Sequence, residues 1–214
     1  MGIEVYFILG LVSLVGASFW IILKKSSEKI SVQYDALAQS LGLEREQPAP
    51  KLGGFIRPEP SVYGSHRGRE LSISVPGKGL QNTRQVETVL KVQVKNKALK
   101  AQLTAAGPLG GLRQRDSGGQ ARWKSGNASF DNAVDVRTNQ GEVLKNYLDE
   151  PRMLWLASRL KKTKATLYIG EGNLAYVRLG LIGNESIRKD FEAAIEFLCD
   201  LAETLEHSQV SERP

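Results

Sequence analysis

The chain has 214 residues, 29 Lys/Arg against 23 Asp/Glu for a net charge of +6, one cysteine and two histidines. A single cysteine excludes an internal disulfide framework, and the histidine and cysteine count leaves no cluster of the kind that holds a structural zinc. About 150 residues from Lys51 onward match the commonest size of one domain with one core.

Residues 5–23, VYFILGLVSLVGASFWIIL, carry no charged side chain and are closed by Glu4 on one side and Lys24-Lys25 on the other. Nineteen helical residues rising about 1.5 Å each cover nearly the ~30 Å of hydrocarbon in a bilayer. A transmembrane anchor is therefore expected over residues 1–25. A cleaved signal peptide fits less well, because the chain opens Met1-Gly2-Ile3-Glu4 without a positive segment and stays apolar past Ala17. Tyr6-Phe7 and Phe19-Trp20 stand near opposite ends of the run, where amphipathic rings meet the headgroups, and a core helix has no reason for that spacing. Gly2 does not signal myristoylation, since position six holds Tyr6 and not Ser or Thr. Lys24, Lys25 and Lys29 follow the span, so the positive-inside rule predicts a single pass through a bacterial inner membrane, amino terminus outside and the rest cytoplasmic. The lone Cys199 agrees with a reducing compartment.

Ile30, Tyr34, Leu37, Ala38 and Leu41 form one helical stripe, which predicts a juxtamembrane amphipathic helix over 26–43, ended by Gly42. Its polar face mixes Glu28 and Asp35 with lysine, which favours packing on its own domain or a partner helix over lying on lipid. The aperiodic stretch EREQPAPKLGG reads as a linker over 44–54. An α+β domain is expected over 55–206, with a disordered tail over 207–214, and residues 51–206 should fold without the anchor.

Within that domain, residues 70–75 place Leu71, Ile73 and Val75 on one strand face. The next two runs suggest a hairpin about Asn96-Lys97, with Val94 opposite Leu99, Val92 opposite Ala101 and Leu90 opposite Leu103. All six would face inward, with Lys91, Lys95 and Lys100 outward. Residues 107–119, rich in glycine, read as a flexible loop, with no Gly-Lys-Ser/Thr to make it a phosphate cradle. Residues 130–136 read as a strand, GEVLKNYL and RMLWLASRL as helices, the second started by Asp149-Glu150-Pro151. ATLYIG and NLAYVRLG flank the hairpin turn Glu171-Gly172. From the cap Asn184, an apolar stripe through Leu205 predicts a long helix covering the sheet. The sum is an α+β fold: one N-terminal transmembrane helix, then a largely antiparallel sheet covered by C-terminal helices.

The chain carries, in order, Ala38-x-x-Leu41-Gly42-Leu43, then Tyr63-Gly-Ser-His-Arg-Gly-Arg69 before a strand, then Gly126-Asn-Ala-Ser-Phe-Asp131 with Val134 and Val136, then a strand-turn-strand and closing helix, motifs that are short and partly structural. It resembles a widespread family of bacterial membrane-anchored domains of unknown function, over residues 34–206. The resemblance implies that Gly68-Arg69 introduces one strand and Phe130-Asp131 another, and it carries no activity with it.

Candidate catalytic groups are few. Cys199 falls on the buried side of the closing helix and reads as an inert thiol, and His207 falls in the charged tail. His66 stands without a second histidine, a cysteine cluster or a group of nearby carboxylates to make a metal site or triad. Asp131 and Asp135 would share a strand face about 13 Å apart, too far for a paired-carboxylate mechanism. No cofactor is expected.

Charge is unevenly placed: residues 1–56 are neutral, residues 57–124 hold thirteen Lys/Arg against four Asp/Glu for +9, and residues 125–214 carry −3. The basic stretch includes Lys78, Arg84, Arg122 and Lys124. Its candidate contacts with an anionic surface are Arg67, Arg69, Lys91, Lys95, Lys100, Arg113 and Arg115. The bland alternative is a solvated face with a lysine-guarded sheet edge. Near a bilayer, each basic residue close to anionic headgroups contributes on the order of 1 kcal/mol. Nucleic acid ranks lower, because Trp123 stands among the basic residues with no stacking row and no recognised motif. The expectation is a binding or scaffolding module whose partners are the bilayer through residues 5–23 and either anionic headgroups or another membrane protein. The alternative is a membrane-associated enzyme using His66, Arg67 and Arg69 on an acidic or phosphorylated substrate.

Overall fold

Helix α1 runs unbroken from Ile3 to Leu41 in the computed structural model, which describes residues 3–76, 86–107 and 119–210. No glycine or proline interrupts residues 17–41, so the expected anchor and amphipathic helix are one rod. Its two halves differ in surroundings. Tyr6, Leu14 and Ile22 are 78%, 66% and 64% exposed, whereas Ile30, Tyr34, Leu37 and Ala38 are buried. Burial pushes the Tyr34 hydroxyl up to about 12. The helix ends where Gly42 takes φ +65° and Leu43 N donates to Ala38 O at 2.9 Å, a left-handed glycine cap.

The segment expected as a linker is partly structured. Strand β1 (Glu44–Glu46) pairs with β2 (Ser61–His66), and the Arg45 guanidinium ties it to α1 through Asp35 and Ser31. Ile30, Tyr34, Leu37, Ala38 and Leu43 belong to the same core as the sheet. The folded domain therefore begins near Ile30, and a piece starting at Lys51 lacks part of its core.

The remaining strands are β3 (Arg69–Ser74), β4 (Glu87–Gln93), β5 (Ala101–Ala105), β6 (Ala121–Trp123), β7 (Val134–Thr138), β8 (Thr166–Gly170) and β9 (Asn173–Leu179). Among the described residues they form one antiparallel sheet in the order β1-β2-β3-β4-β9-β8-β5-β7-β6. The expected β4–β5 hairpin is absent. Val92 faces Leu174 on β9 and Leu103 faces Leu167 on β8, so the β8–β9 hairpin stands between the two strands. Leu90, Val92, Val94, Leu99, Ala101 and Leu103 are nonetheless all buried, because alternation determines a strand's inward face and not its neighbour. Asn96 makes the difference. Its side chain is buried and its Oδ1 accepts from Ala98 N and Leu99 N at 3.0 and 3.2 Å, which bends the chain onward instead of reversing it. The β8–β9 turn follows the sequence, with Glu171 and Gly172 at φ +55° and +77°.

Phe130 and Asp131 do not begin a strand. Asn127 Oδ1 accepts from Phe130 N at 3.1 Å and caps a short helix, α2 (Ala128–Ala133), before β7 starts at Val134. Phe130 is buried, as a core residue should be. Asp131 and Asp135 therefore share no strand face: Asp131 accepts from Ser125 N, and Asp135 pairs with Arg122.

Helices α3 (Gly141–Lys145) and α4 (Glu150–Thr163) follow, α4 capped by Asp149 Oδ1 accepting from Arg152 N at 2.9 Å. Helix α5 (Glu185–Val210) starts where Asn184 Oδ1 accepts from Ile187 N at 2.9 Å. It buries Phe191, Ala194, Ile195, Leu198, Leu201, Ala202 and Leu205 and continues to Val210, so the tail expected from 207 is helical at its start. The stripes of α1, α4 and α5 share one core with the sheet's apolar face. The fold is α+β.

Candidate functional site

Arg67 and Gly68 take φ +51° and +72°, making a two-residue turn that pairs His66 with Arg69 between β2 and β3. The turn lays His66, Arg67 and Arg69 against α5, where Glu196, Asp200, Glu203 and Glu206 follow one another at helical spacing. His66 Nε2 lies 3.0 Å from Glu196 Oε1. Arg67 reaches Glu196, Asp200 and Glu203 at 3.1, 2.7 and 2.9 Å. Arg69 donates twice to Glu206, at 2.8 and 3.0 Å, and Glu206 also accepts from Lys95 N at 2.9 Å. This two-pronged geometry is the strong form of the arginine–carboxylate contact. The Arg69 guanidinium holds the Glu206 carboxyl below the usual carboxylate range, and Glu206 in turn raises Arg69. Asp200, hydrogen-bonded to Arg67, raises that guanidinium.

These contacts sort the expected basic set. Arg67 and Arg69 are tied to α5, and Arg122 makes two bonds to Asp135 at 2.7 and 2.8 Å. Lys91, Lys95 and Lys100 are exposed, and Lys95 stands close enough to Glu206 to help lower its carboxyl. Lys91 and Lys100 share the sheet's outer face but not one hairpin: β9 and β8 separate their strands, three spacings or about 14 Å. Lys95 follows β4 and, with Lys97, Arg67, Arg69 and Glu206, lines a cleft of about 410 Å³. Arg113 and Arg115, with Lys78 and Arg84 and most of the glycine-rich loop, lie outside the described residues.

The titratable candidates come out as follows. His66 meets a carboxylate, Glu196, that sequence proximity could not reveal, yet it does not line the cleft beside it. Cys199 is buried, and burial pushes its thiol up to about 11, so it stays protonated at neutral pH. The His207 side chain lies outside the described residues. No group of three His, Cys, Asp or Glu is placed to hold a metal ion among the described residues.

Sequence reasoning missed a second cluster. Asp190 on α5 is buried and takes the Arg159 guanidinium of α4, Arg178 of β9 at 2.8 Å and the Tyr176 hydroxyl at 3.2 Å. Beside it opens a cleft of about 510 Å³ lined by Arg159, Lys162, Arg178, Lys189 and Glu185. The signal was present: Asp190 stands inside the apolar stripe between Ile187 and Ala194, and a charge there requires a partner. The acidic stripe 196-200-203-206 was equally visible as a counterpart to the basic strands.

Comparison with protein-family models and with curated proteins gives no match. Among solved structures, the fold is similar to the crystal structure of the mycobacterial trehalose monomycolate transport factor A, TtfA, with a TM-score of 0.55. Sequence identity is 12%, over 83% of this chain and 94% of that one. The likeness is one of fold.

Proposed function

We propose that the chain is a single-pass protein of a bacterial inner membrane, anchored by residues 5–23 with its amino terminus outside, whose cytoplasmic α+β domain is a binding or scaffolding module. The observation that carries this reading is the continuity of α1, exposed and apolar from Tyr6 to Ile22 and then part of the domain's own core from Ile30. Such a rod holds the domain close to the bilayer without a loose tether. Fold likeness to a protein named as a transport factor supports a role outside catalysis. So does the placing of His66, whose ring meets Glu196 instead of the cationic cleft that an enzyme acting on acidic substrates would use.

The partner of the open lysines is, on this reading, an acidic face of another membrane protein more than a headgroup layer. Ser40 lies sixteen residues past Lys24, about 24 Å along the helix, and Ser40 Oγ donates to Glu192. The Arg67–Arg69 turn and Lys95 pack still further along α5, well past the ~8 Å reach of charges at physiological ionic strength. The test compares capture from detergent-solubilised membranes by the full chain and by its Lys91→Glu, Lys95→Glu, Lys100→Glu variant. The three exposed changes should each move stability by about 0.5 kcal/mol or less. Loss of one protein from the variant's captured set supports the reading; an identical set from a folded variant overturns the role of these lysines.

A further inference from the structure

The loop of residues 51–57, KLGGFIR, is closed on itself by Lys51 N donating to Ile56 O at 2.8 Å and Ile56 N to Lys51 O at 3.2 Å. Leu52, Gly53 and Gly54 all take left-handed φ, +49°, +63° and +91°. For Leu52 that conformation is strained. The effect is to turn apolar side chains outward: Leu52 is 74% exposed, Phe55 50% and Ile56 50%. Three large apolar groups at one loop tip, one of them on a strained residue, form a patch that water does not favour.

The position of the loop identifies what covers it. Trp20 Nε1 donates to Gly53 O at 3.2 Å, and a side chain at Gly54 would come within 3.2 Å of the same indole nitrogen. Trp20 stands three residues before Leu23, about 4.5 Å inside the end of the apolar run. An indole there sits at the level of the headgroups. Whatever is hydrogen-bonded to it lies at that level too. Basic groups surround the patch: Lys24 is 5.4 Å over the Trp20 ring, and Lys51 and Arg57 flank the loop. An apolar tip within a basic rim is the chemistry of a segment lying in an anionic membrane interface.

We propose that residues 51–57 are a second, interfacial anchor, with Leu52, Phe55 and Ile56 entering the headgroup and upper acyl region of the leaflet that holds Trp20. The inference rests on the reading of residues 5–23 as a membrane span. Its consequence is orientation: a helix alone allows the domain to rotate about the helix axis, whereas a helix and a loop fix which side of the sheet faces along the membrane.

The test uses the full chain in phosphatidylethanolamine/phosphatidylglycerol vesicles, in a Cys199→Ala background with one fluorescent label at Val12→Cys, Phe55→Cys or Leu154→Cys. All three sites are exposed, so labelling should not disturb the core. The expected result is that the label at 55 is quenched by lipids carrying a nitroxide near the headgroup and loses the quenching by aqueous iodide seen at 154. The label at 12 should be quenched by a nitroxide deep in the acyl chain. A label at 55 as open to iodide as the one at 154, with the label at 12 still deep, overturns the second anchor and leaves the span standing. A label at 12 open to iodide overturns the span and the loop inference together.

Discussion

Removing residues 1–50 should unfold the domain, whereas removing residues 1–26 should not. The difference lies in the second half of α1 and in β1. Ile30, Tyr34, Leu37 and Leu43 are at most 9% exposed and pack in the one core cluster. Burial of a large apolar side chain contributes about 1.5–3 kcal/mol, so losing four of them costs about 6–12 kcal/mol. A whole domain is stable by only about 5–15 kcal/mol. Loss of β1 also leaves the Val62 edge of β2 without its antiparallel partner. Urea unfolding followed by circular dichroism, on fragments 27–210 and 51–210, measures the effect. The longer fragment should unfold in one cooperative transition and the shorter should show none. A 51–210 fragment that unfolds cooperatively at the same midpoint would refute the assignment of α1 to the core.

Asp190→Ala leaves the Arg159 and Arg178 guanidinium groups facing each other without their shared carboxylate, and should destabilise the domain by about 3–5 kcal/mol in the same assay; a change below 1 kcal/mol, the range of an exposed pair, would contradict its burial. Phe191→Ala, at a fully buried position whose ring meets Tyr176 edge-on at 5.7 Å, should cost about 3–5 kcal/mol. Because the Glu206 carboxyl is held below its ordinary range in the folded state, its contribution is complete above that range and is lost as pH falls through the depressed folded value. Glu206→Gln should therefore lower stability at neutral pH by about 1–2 kcal/mol and reduce its fall on acidification; equal acid limbs for the two proteins would show that Arg69 does not hold Glu206.

What could be read from the sequence was local. The Glu171-Gly172 turn, the caps Asp149 and Asn184 and the stripe of α5 each depend on residues within a few positions, and each formed as the local chemistry requires. Strand faces were legible for the same reason: Leu90, Val92, Val94, Leu99, Ala101 and Leu103 are buried whatever strand lies beside them, although Gln102 is buried with them. Pairing was not legible, because β4 and β5 choose β9 and β8 through contacts across most of the domain, and a buried Asn96 turned the chain onward. Asn127 overrode the strand pattern of residues 130–133 by offering its side chain as a cap. At the candidate site the cations were visible but their partners were not: Arg67 meets Asp200 across 133 positions of sequence. The stripe of carboxylates on α5 was the available clue to that pairing.

On the proposed topology the domain lies on the cytoplasmic side of a single membrane span. Fusing to Pro214, in turn, a reporter active only in the cytoplasm and one active only outside it tests this most directly. Activity is expected from the cytoplasmic reporter alone, because Lys24, Lys25 and Lys29 stand on the domain's side of the apolar run and Glu4 on the other. Activity from the external reporter would contradict it.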